Sequence, residues 1–315
     1  MEKLRIVFMG TPEFAVGILD SIVKSNYEIV GVITAADKPA GRGQKIKYSA
    51  VKEYAVENNL KLLQPTNLKD ETFLAELKSL DANLQVVVAF RMLPEAVWKM
   101  PELCTFNLHA SLLPNYRGAA PINWAIINGE TKTGVTTFFI DDKIDTGAII
   151  LNKEIRINPN ENAGALHDSL MLLGSEAVVE TLSLIVKGNV QTTIQQDNPE
   201  IKTAYKLNRE NCKIDWTKSA AEIHNQIRGL SPNPSAWSIF KDKGEKWNVK
   251  LYDAKIIPES HSYPIGTIIT SKKEIKVAVK DGLIEILNIQ FPGKKKMKAN
   301  ELLNGISFSE RAQAE

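Results

Sequence analysis

Short runs of β-branched and apolar residues alternate with amphipathic stretches through the first half of the chain. The runs that are apolar on both faces, which we predict to be strands, are residues 6–8, 29–33, 86–88 and 105–109. Residues 14–24 carry apolar side chains at helical spacing. Because strands of this kind need cover on both sides, helices are expected to flank a parallel sheet. The pattern predicts a doubly wound α/β domain with a mostly parallel sheet, which residues 135–140 and 148–151 complete or edge.

The pattern changes after a long helical stretch predicted over residues 163–187. Residues 189–205 are polar and are predicted to be a linker. After a helix over residues 220–229 come short strand-like runs at 249–252, 266–269, 275–279 and 283–287. Short strands at regular spacing are typical of a small β-barrel. We therefore predict a first domain over residues 1–188, a linker over 189–205 and a barrel domain over 206–315.

The charge of the chain is divided unevenly between these parts. The 315 residues carry a formal charge of only +2, which by itself argues against a surface made for nucleic acid or anionic membrane. However, the chain has 20 basic and 24 acidic side chains up to Tyr205, and 19 and 13 from Lys206 onward. The excess of positive charge therefore lies in the predicted barrel domain.

Cysteine content and hydropathy indicate a reducing, non-membrane location. Cys104 and Cys212 are too far apart to form a CxxC pair or a disulfide framework. The first residues lead straight into the first predicted strand, without a signal-peptide core. No apolar run is expected to approach the roughly 18 residues that span a bilayer. We expect a cytoplasmic protein with no membrane partner.

Two glycine-containing segments near the start of the chain are candidates for nucleotide or phosphate binding, and neither is favoured for it by composition alone. The turn at Gly10 lacks the second and third glycines of a GxGxxG motif, so a dinucleotide is not expected there. Residues 37–45 are basic and rich in glycine, and Arg42 is suited to phosphate contact. Composition alone favours a solvated loop for this second segment.

Polar residues with catalytic potential lie at or after the carboxyl ends of two predicted strands. Asn107 and His109 alternate along a strand, so their side chains project from one face near its carboxyl end, where ligands bind open α/β sheets. An imidazole exchanges protons near neutral pH, and an amide donates to a developing oxyanion. A hydrogen-bonded core histidine is the alternative. Asp141, Asp142 and Asp145 follow another strand, where one carboxylate can orient the imidazole or the group can form an acidic surface turn.

No metal site is predicted. The other histidines, His167, His224 and His261, are scattered over two predicted helices and a loop without ligand spacing.

These segments together resemble the methionyl-tRNA formyltransferase family over essentially the whole chain. The matching stretches are residues 8–15, 37–43, 107–114, 116–122, 145–147, 213–216 and 292–295. The combination of Asn-x-His, Ser-Leu-Leu-Pro and Asp-Thr-Gly is highly specific for folate-dependent formyl transfer. The resemblance implies a Rossmann-like formyltransferase domain followed by an OB-like barrel that binds tRNA.

The resemblance also implies roles for individual residues in formyl transfer from 10-formyltetrahydrofolate to methionyl-initiator tRNA. Asn107, His109 and Asp145 are the implied catalytic trio, acting without a metal. The residues implied to line the tetrahydrofolate pocket are Ser111, Leu112, Leu113 and Pro114. Those implied to contact tRNA are Arg42, Lys294, Lys295 and Lys296. For the three lysines, a solvated turn is the alternative.

Other interpretations remain open on sequence grounds. Enzymes that formylate an amino sugar nucleotide share the catalytic trio, although the basic loop at residues 41–43 and the motif at 292–295 favour tRNA. A nucleic-acid-binding protein on an inactive α/β scaffold is disfavoured, since Asn107, His109 and Asp145 are all present. We expect the protein to be a monomer.

One residue departs from the family pattern. Arg91 stands where family members carry glycine, after the strand at residues 86–88. We expect this change to narrow the folate pocket or to alter the turn.

Overall fold

The computed structural model describes residues 3–40 and 45–315. Within these ranges the strands, in chain order, are β1 (Arg5–Gly10), β2 (Glu28–Ile33), β3 (Lys38–Ala40), β4 (Lys45–Lys47), β5 (Leu62–Leu63), β6 (Leu84–Val88), β7 (Cys104–His109), β8 (Arg117–Gly118), β9 (Lys132–Phe139), β10 (Ile149–Arg156), β11 (Thr203–Ala204), β12 (Ala236–Asp242), β13 (Glu245–Ile257), β14 (Ile268–Thr270), β15 (Ile275–Val279), β16 (Gly282–Gln290), β17 (Met297–Lys298) and β18 (Gln313–Ala314). The helices are α1 (Glu13–Lys24), α2 (Ala50–Glu57), α3 (Glu71–Ser79), α4 (Glu95–Trp98), α5 (Pro121–Ile127), α6 (Ala163–Val186), α7 (Ala220–Gly229) and α8 (Ala299–Leu303).

The chain forms two compact units. The first comprises residues 1–118, 133–155 and 167–203, and the second comprises residues 119–132, 156–166 and 204–315. Two short segments that precede residue 167 thus belong to the second unit. The domain boundaries predicted from the sequence remain a prediction.

The first unit is built on a seven-stranded sheet with the order β10-β9-β7-β6-β1-β2-β5. The pairs β1–β2, β1–β6, β6–β7 and β2–β5 are parallel, and β7–β9 is antiparallel. Residues of β1 and β6 are buried throughout their central positions, as apolar strands covered on both faces require. The predicted mostly parallel α/β sheet is therefore confirmed, with β9 and β10 at its edge.

Local signals in the sequence explain where several helices begin. Ser49 accepts the N–H of Lys52 at the start of α2, and Asp70 accepts that of Phe73 at the start of α3. At the start of α7, Ser219 and Glu222 form a reciprocal capping box. These caps satisfy N–H groups that the first turn of a helix leaves unpaired.

Helix α6 is the one helix of the described chain that is long and apolar enough to cross a membrane. By length and composition alone it meets that test, which a core helix also meets. From residue 167 onward α6 belongs to the first unit, where Thr181 bonds to Thr137 of β9 at 2.8 Å and a Cβ at Gly174 would lie 2.8 Å from Leu108 of β7.

The second unit contains an antiparallel sheet with the order β14-β15-β16-β13-β12-β18, with β17 paired to β16. Its two edges approach each other, because Ile268 of β14 donates its N–H to Ala312, next to β18, and Thr267 bridges to Gln313. The result is the predicted small, nearly closed barrel. Its core includes Trp216 and Phe240, and α7 packs against β13.

Candidate active site

His109 is the last residue of β7, and its imidazole is held in one orientation. The ring is buried, and Nε2 lies 2.8 Å from the carbonyl oxygen of Tyr116. Because a carbonyl oxygen only accepts hydrogen bonds, Nε2 must carry a proton. In the neutral ring, Nδ1 is then unprotonated, and it faces Oδ2 of Asp145 at 3.8 Å. The atom of His109 that can take up a proton is therefore Nδ1, beside a carboxylate.

Asp145 reaches this position from the loop between β9 and β10. Its backbone has a positive φ of 57°, and its side chain is only 15% exposed. Gly118 donates its N–H to Oδ2 of Asp145 at 3.0 Å. This backbone bond fixes the oxygen that faces His109.

Asn107 lies two positions before His109 on β7, so the two side chains project from the same face of the strand. Its backbone is aligned with Val87 of β6 and Phe138 of β9 in the sheet. Within the described ranges, its side-chain amide forms no hydrogen bond. The Asn107 amide is therefore held on a rigid strand with its donor atoms free.

The segment after β7 is tied to the neighbouring strand β9. The Ser111 hydroxyl donates to the Asn115 carbonyl oxygen at 2.7 Å. The Thr136 hydroxyl lies 2.7 Å from the Ser111 carbonyl oxygen and accepts the N–H of Leu113 at 3.1 Å. These bonds tie residues 111–113 to β9, next to His109.

The predicted folate-contacting residues differ in their exposure. Ser111 and Leu113 are buried, and Leu113 packs against Phe138 and Ile149. Leu112 and Pro114 are half-buried. The side chains with surface left to contact a ligand are therefore those of Leu112 and Pro114.

Two further residues, which the sequence interpretation missed, hold the Asp145 loop. Gln195 donates its side-chain amide to the carbonyl oxygens of Asp145 at 3.0 Å and Gly147 at 2.8 Å. The side-chain oxygen of Gln195 accepts hydrogen bonds from Nε and Nη2 of Arg117 at 3.1 and 2.9 Å. Arg117 also pairs with Asp197 at 2.8 Å, and this bond lowers the pKa of that carboxyl. Gln195 lies in the segment predicted to be a linker. The polar composition of that segment was the only signal in the sequence, and it does not indicate a contact with the Asp145 loop.

Gly147 also constrains the Asp145 loop. A Cβ atom at this position would lie 1.7 Å from the Phe139 carbonyl oxygen, which belongs to the backbone and cannot rotate away. The absence of a side chain therefore permits the loop to pass directly beneath the end of β9.

Arg91 contacts the loop that follows β5. Its guanidinium donates to the carbonyl oxygens of Pro65 and Thr66, and its side chain is exposed. Arg91 thus joins two loops at the carboxyl ends of parallel strands.

Two further observations concern the Cys104 thiol and the grouping of potential metal ligands in the described chain. Burial raises the pKa of the Cys104 thiol, at the start of β7, to about 12, so it is not a thiolate nucleophile near neutral pH. Across residues 3–40 and 45–315, no group of three or more His, Cys, Asp or Glu side chains is arranged to hold a metal ion.

The three lysines predicted to contact tRNA lie in one turn. Lys294, Lys295 and Lys296 are exposed in the turn between β16 and β17. The ammonium of Lys296 lies 4.6 Å from the centre of the Tyr252 ring, a cation–π contact. Arg42 lies outside the described residues.

Comparison with known proteins identifies the family to which the chain is similar. The chain matches the formyl transferase family over residues 4–182 and the formyl transferase C-terminal domain family over residues 206–307. It is 74% identical to the methionyl-tRNA formyltransferase of Flavobacterium johnsoniae over 99% of both chains. It is 52% identical to that of Bacteroides thetaiotaomicron over 98% of both chains.

Solved structures share the fold at lower identity. The N-formyltransferase of Helicobacter canadensis, in complex with folinic acid and dTDP-3-aminofucose, is 24% identical, with a TM-score of 0.64 over 90% of this chain and 98% of that one. HypX of Aquifex aeolicus with tetrahydrofolic acid is 18% identical, with a TM-score of 0.64 over 96% of this chain and 47% of that one. On the strength of both family matches and the close full-length relatives, this chain belongs to the formyl transferase family.

Proposed function

We propose that this protein transfers the formyl group of 10-formyltetrahydrofolate to the α-amine of methionyl-initiator tRNA. The observation that carries the proposal is the site itself: Asn107 and His109 share one face of β7, and the Asp145 carboxylate lies 3.8 Å from Nδ1 of His109. The 74% identity to a methionyl-tRNA formyltransferase supports the choice of acceptor.

Asn107 is suited to stabilise the charge that develops during transfer. The folate donor supplies an electrophilic formyl carbon, and attack by an amine places negative charge on the formyl oxygen. The Asn107 amide has free donor atoms on a rigid strand, so it can donate to that oxygen without first breaking another bond in the described chain. We assign oxyanion stabilisation to Asn107.

His109 and Asp145 are suited to handle the proton that the attacking amine must lose. The bond from Nε2 to the Tyr116 carbonyl leaves Nδ1 as the basic atom of the neutral ring. The Asp145 carboxylate stabilises the imidazolium that forms when Nδ1 takes the proton, since opposite charges attract strongly away from water. His109 is then the group that passes the proton toward the leaving nitrogen.

The segment 111–114 is suited to hold the folate donor beside this machinery. Half-buried Leu112 and Pro114 offer an apolar surface, while Ser111 and Leu113 anchor the segment to β9. Two relatives of the same fold carry folinic acid or tetrahydrofolic acid, which supports a folate in this family.

Basic residues outside the catalytic site are suited to contact tRNA. Lys294, Lys295 and Lys296 are exposed side by side in the half of the chain that carries the excess of positive charge. We also assign tRNA contact to Arg42. Because aminoacylated tRNA is a cytoplasmic substrate, the proposal includes a cytoplasmic location.

A formylation assay with three reactions tests the proposal: methionyl-tRNA, an amino sugar nucleotide, and no acceptor. We expect transfer to methionyl-tRNA alone. The His109→Ala variant should lower kcat by about 100-fold or more while the protein remains folded. His167→Ala, which changes a histidine on α6, is the matched control and should retain activity.

Two results would count against the proposal. Formylation of the amino sugar nucleotide in preference to methionyl-tRNA would assign the alternative acceptor. Near-normal transfer by a folded His109→Ala variant would remove the assigned mechanism.

A further inference from the structure

The second unit contains a cavity whose lining residues lie outside the candidate active site. It measures about 320 Å³, near the lower end of the range for small-ligand sites. Part of its wall is apolar, formed by Leu207, Cys212 and Pro234 beside the indole of Trp237. A flat aromatic ring is the kind of group that such a wall accommodates.

Cations surround the aromatic part of this wall. The guanidinium of Arg209 lies 4.8 Å from the centre of the Trp237 ring, and the ammonium of Lys213 lies 5.8 Å from it. Lys250 of β13 pairs directly with Trp237 of β12, so their side chains lie on the same face of the barrel. Arg209, Lys213 and Lys250 are all exposed, so an anionic group can reach them.

These charges are incompletely neutralised. Glu210 neighbours Arg209 along the chain and is exposed. Glu315 forms an ion pair with Lys241, and the charge of Lys213 helps to lower the pKa of its carboxyl. In the part of the chain that the structure describes, Arg209 and Lys250 have no carboxylate within ion-pair distance. The mouth of the cavity therefore attracts anions.

Ser235 adds an unpaired polar group to the lining of the cavity. It lines the cavity and is 3% exposed, yet its hydroxyl has no hydrogen-bond partner within the described chain. An unpaired buried hydroxyl costs free energy, and a polar ligand group close by would remove that cost. The cavity thus combines an aromatic wall, cations and a spare hydrogen-bonding group.

We propose that this cavity binds an unpaired nucleotide, with its base against Trp237 and its phosphate at Arg209 and Lys250. Base stacking on an aromatic side chain, joined to a basic groove for the backbone, is a general mode of single-stranded nucleic-acid binding. An RNA is favoured over a free nucleotide because Lys246 and Lys250 extend the basic face along β13. Only this choice of RNA rests on the proposed function; the cavity chemistry does not.

Calorimetric titration of the full chain tests the proposal with three probes: a 5′-phosphorylated adenylate trimer, AMP and adenosine. We expect the trimer to bind most tightly and adenosine, which lacks phosphate, most weakly. Trp237→Ala should weaken trimer binding by about 5- to 100-fold, whereas Trp237→Phe, which retains a stacking ring, should keep most of it. Equal binding of AMP and trimer would identify a free nucleotide as the ligand.

Exposed charges provide a test that does not depend on the indole. The Arg209→Gln, Lys250→Gln double variant should bind the trimer more weakly. It should also lower, by about one or more, the salt slope, which is the magnitude of the slope of the logarithm of the association constant against the logarithm of the salt concentration. Lys272→Gln, an exposed lysine outside the cavity, is the matched control and should change neither. Absence of saturable binding by the wild type, or trimer binding that the double variant leaves at the level of Lys272→Gln, would overturn the proposal.

Transfer kinetics separate this site from the proposed reaction. With methionyl-tRNA as acceptor, the double variant should raise KM and leave kcat unchanged, because none of its residues lies at the catalytic trio. Trimer binding is measured without a formyl donor, so it can succeed even if formyl transfer to tRNA fails. A drop in kcat with unchanged KM would contradict a binding role.

Discussion

Gln195 donates a hydrogen bond from its side-chain amide to the carbonyl oxygen of Asp145, with a nitrogen–oxygen distance of 3.0 Å. The same nitrogen donates to Gly147, and the side-chain oxygen accepts from Arg117. One amide therefore joins the loop that presents the Asp145 carboxylate to Arg117 of β8. We infer that this bridge, together with the Gly118 N–H, helps to position Asp145 relative to His109.

Replacing Gln195 should reduce catalysis without unfolding the protein. In Gln195→Ala the carbonyls of Asp145 and Gly147 lose their donor, so the loop relaxes and the carboxylate shifts from His109. We expect kcat to fall by about 10- to 100-fold, with a smaller change in KM for either substrate. The reason is that a small displacement of a group near the reacting atoms slows the reaction strongly. Gln196→Ala, the exposed neighbour, should behave as wild type. If both variants keep full kcat, Gln195 has no positioning role.

Removing the Asn107 amide should affect the transition state more than substrate binding. Its side chain makes no hydrogen bond in the described chain, so Asn107→Ala should leave the unfolding midpoint nearly unchanged. Loss of one oxyanion donor should lower kcat by about 100-fold. Steady-state kinetics with methionyl-tRNA check this. A large rise in KM at constant kcat would indicate a binding role instead.

A methyl group at Gly147 should disrupt the Asp145 loop. In Gly147→Ala the new Cβ cannot remain 1.7 Å from the Phe139 carbonyl oxygen, so the backbone must move. We expect a loss of about 1–3 kcal/mol in the free energy of unfolding, together with lower activity. Gly305→Ala is the control, because a Cβ there meets nothing within 4 Å. Chemical denaturation of both variants measures the difference, and equal stability would disprove the clash.

Stability should decline in mild acid because of His224 on α7. Burial lowers its pKa below the usual 6.5, and Arg228 adds to this effect against the opposing charge of Asp253. The folded state therefore keeps His224 neutral where the unfolded chain binds a proton, so the free energy of unfolding falls as pH drops below about 6.5. His224→Gln should lose less stability than wild type between about pH 7.5 and pH 5.5. If thermal melts show that the wild type and the His224→Gln variant lose equal stability over this pH range, the prediction is wrong.

The three exposed lysines after β16 should contribute to tRNA affinity through charge. Replacing Lys294, Lys295 and Lys296 with Gln should raise KM for methionyl-tRNA and lower the salt slope by about one for each phosphate group that a lysine neutralises in the wild type. Folate affinity should not change. Arg42→Ala should likewise harm tRNA use much more than folate binding. Unchanged salt dependence in the lysine variant would leave these residues as a solvated turn.

The local pattern of the sequence was enough to predict the two architectures and the placement of Asn107 and His109. Apolar periodicity distinguishes strands from helices, and alternation along a strand puts residues two apart on one face. Both features depend on near neighbours in the chain. The family resemblance added Asp145, which periodicity could not pair with a particular histidine.

Only the tertiary structure decided which distant groups meet. It places Gln195 on Asp145, runs β9 antiparallel to β7, and assigns residues 119–132 and 156–166 to the second unit. It also brings Arg209 over Trp237 beside a cavity. These contacts join residues far apart in sequence. A polar segment that forms a linker and one that packs against a catalytic loop have the same composition, so the sequence does not distinguish them. The sequence by itself determined the elements and the reactive side chains, whereas long-range packing determined how those side chains are held.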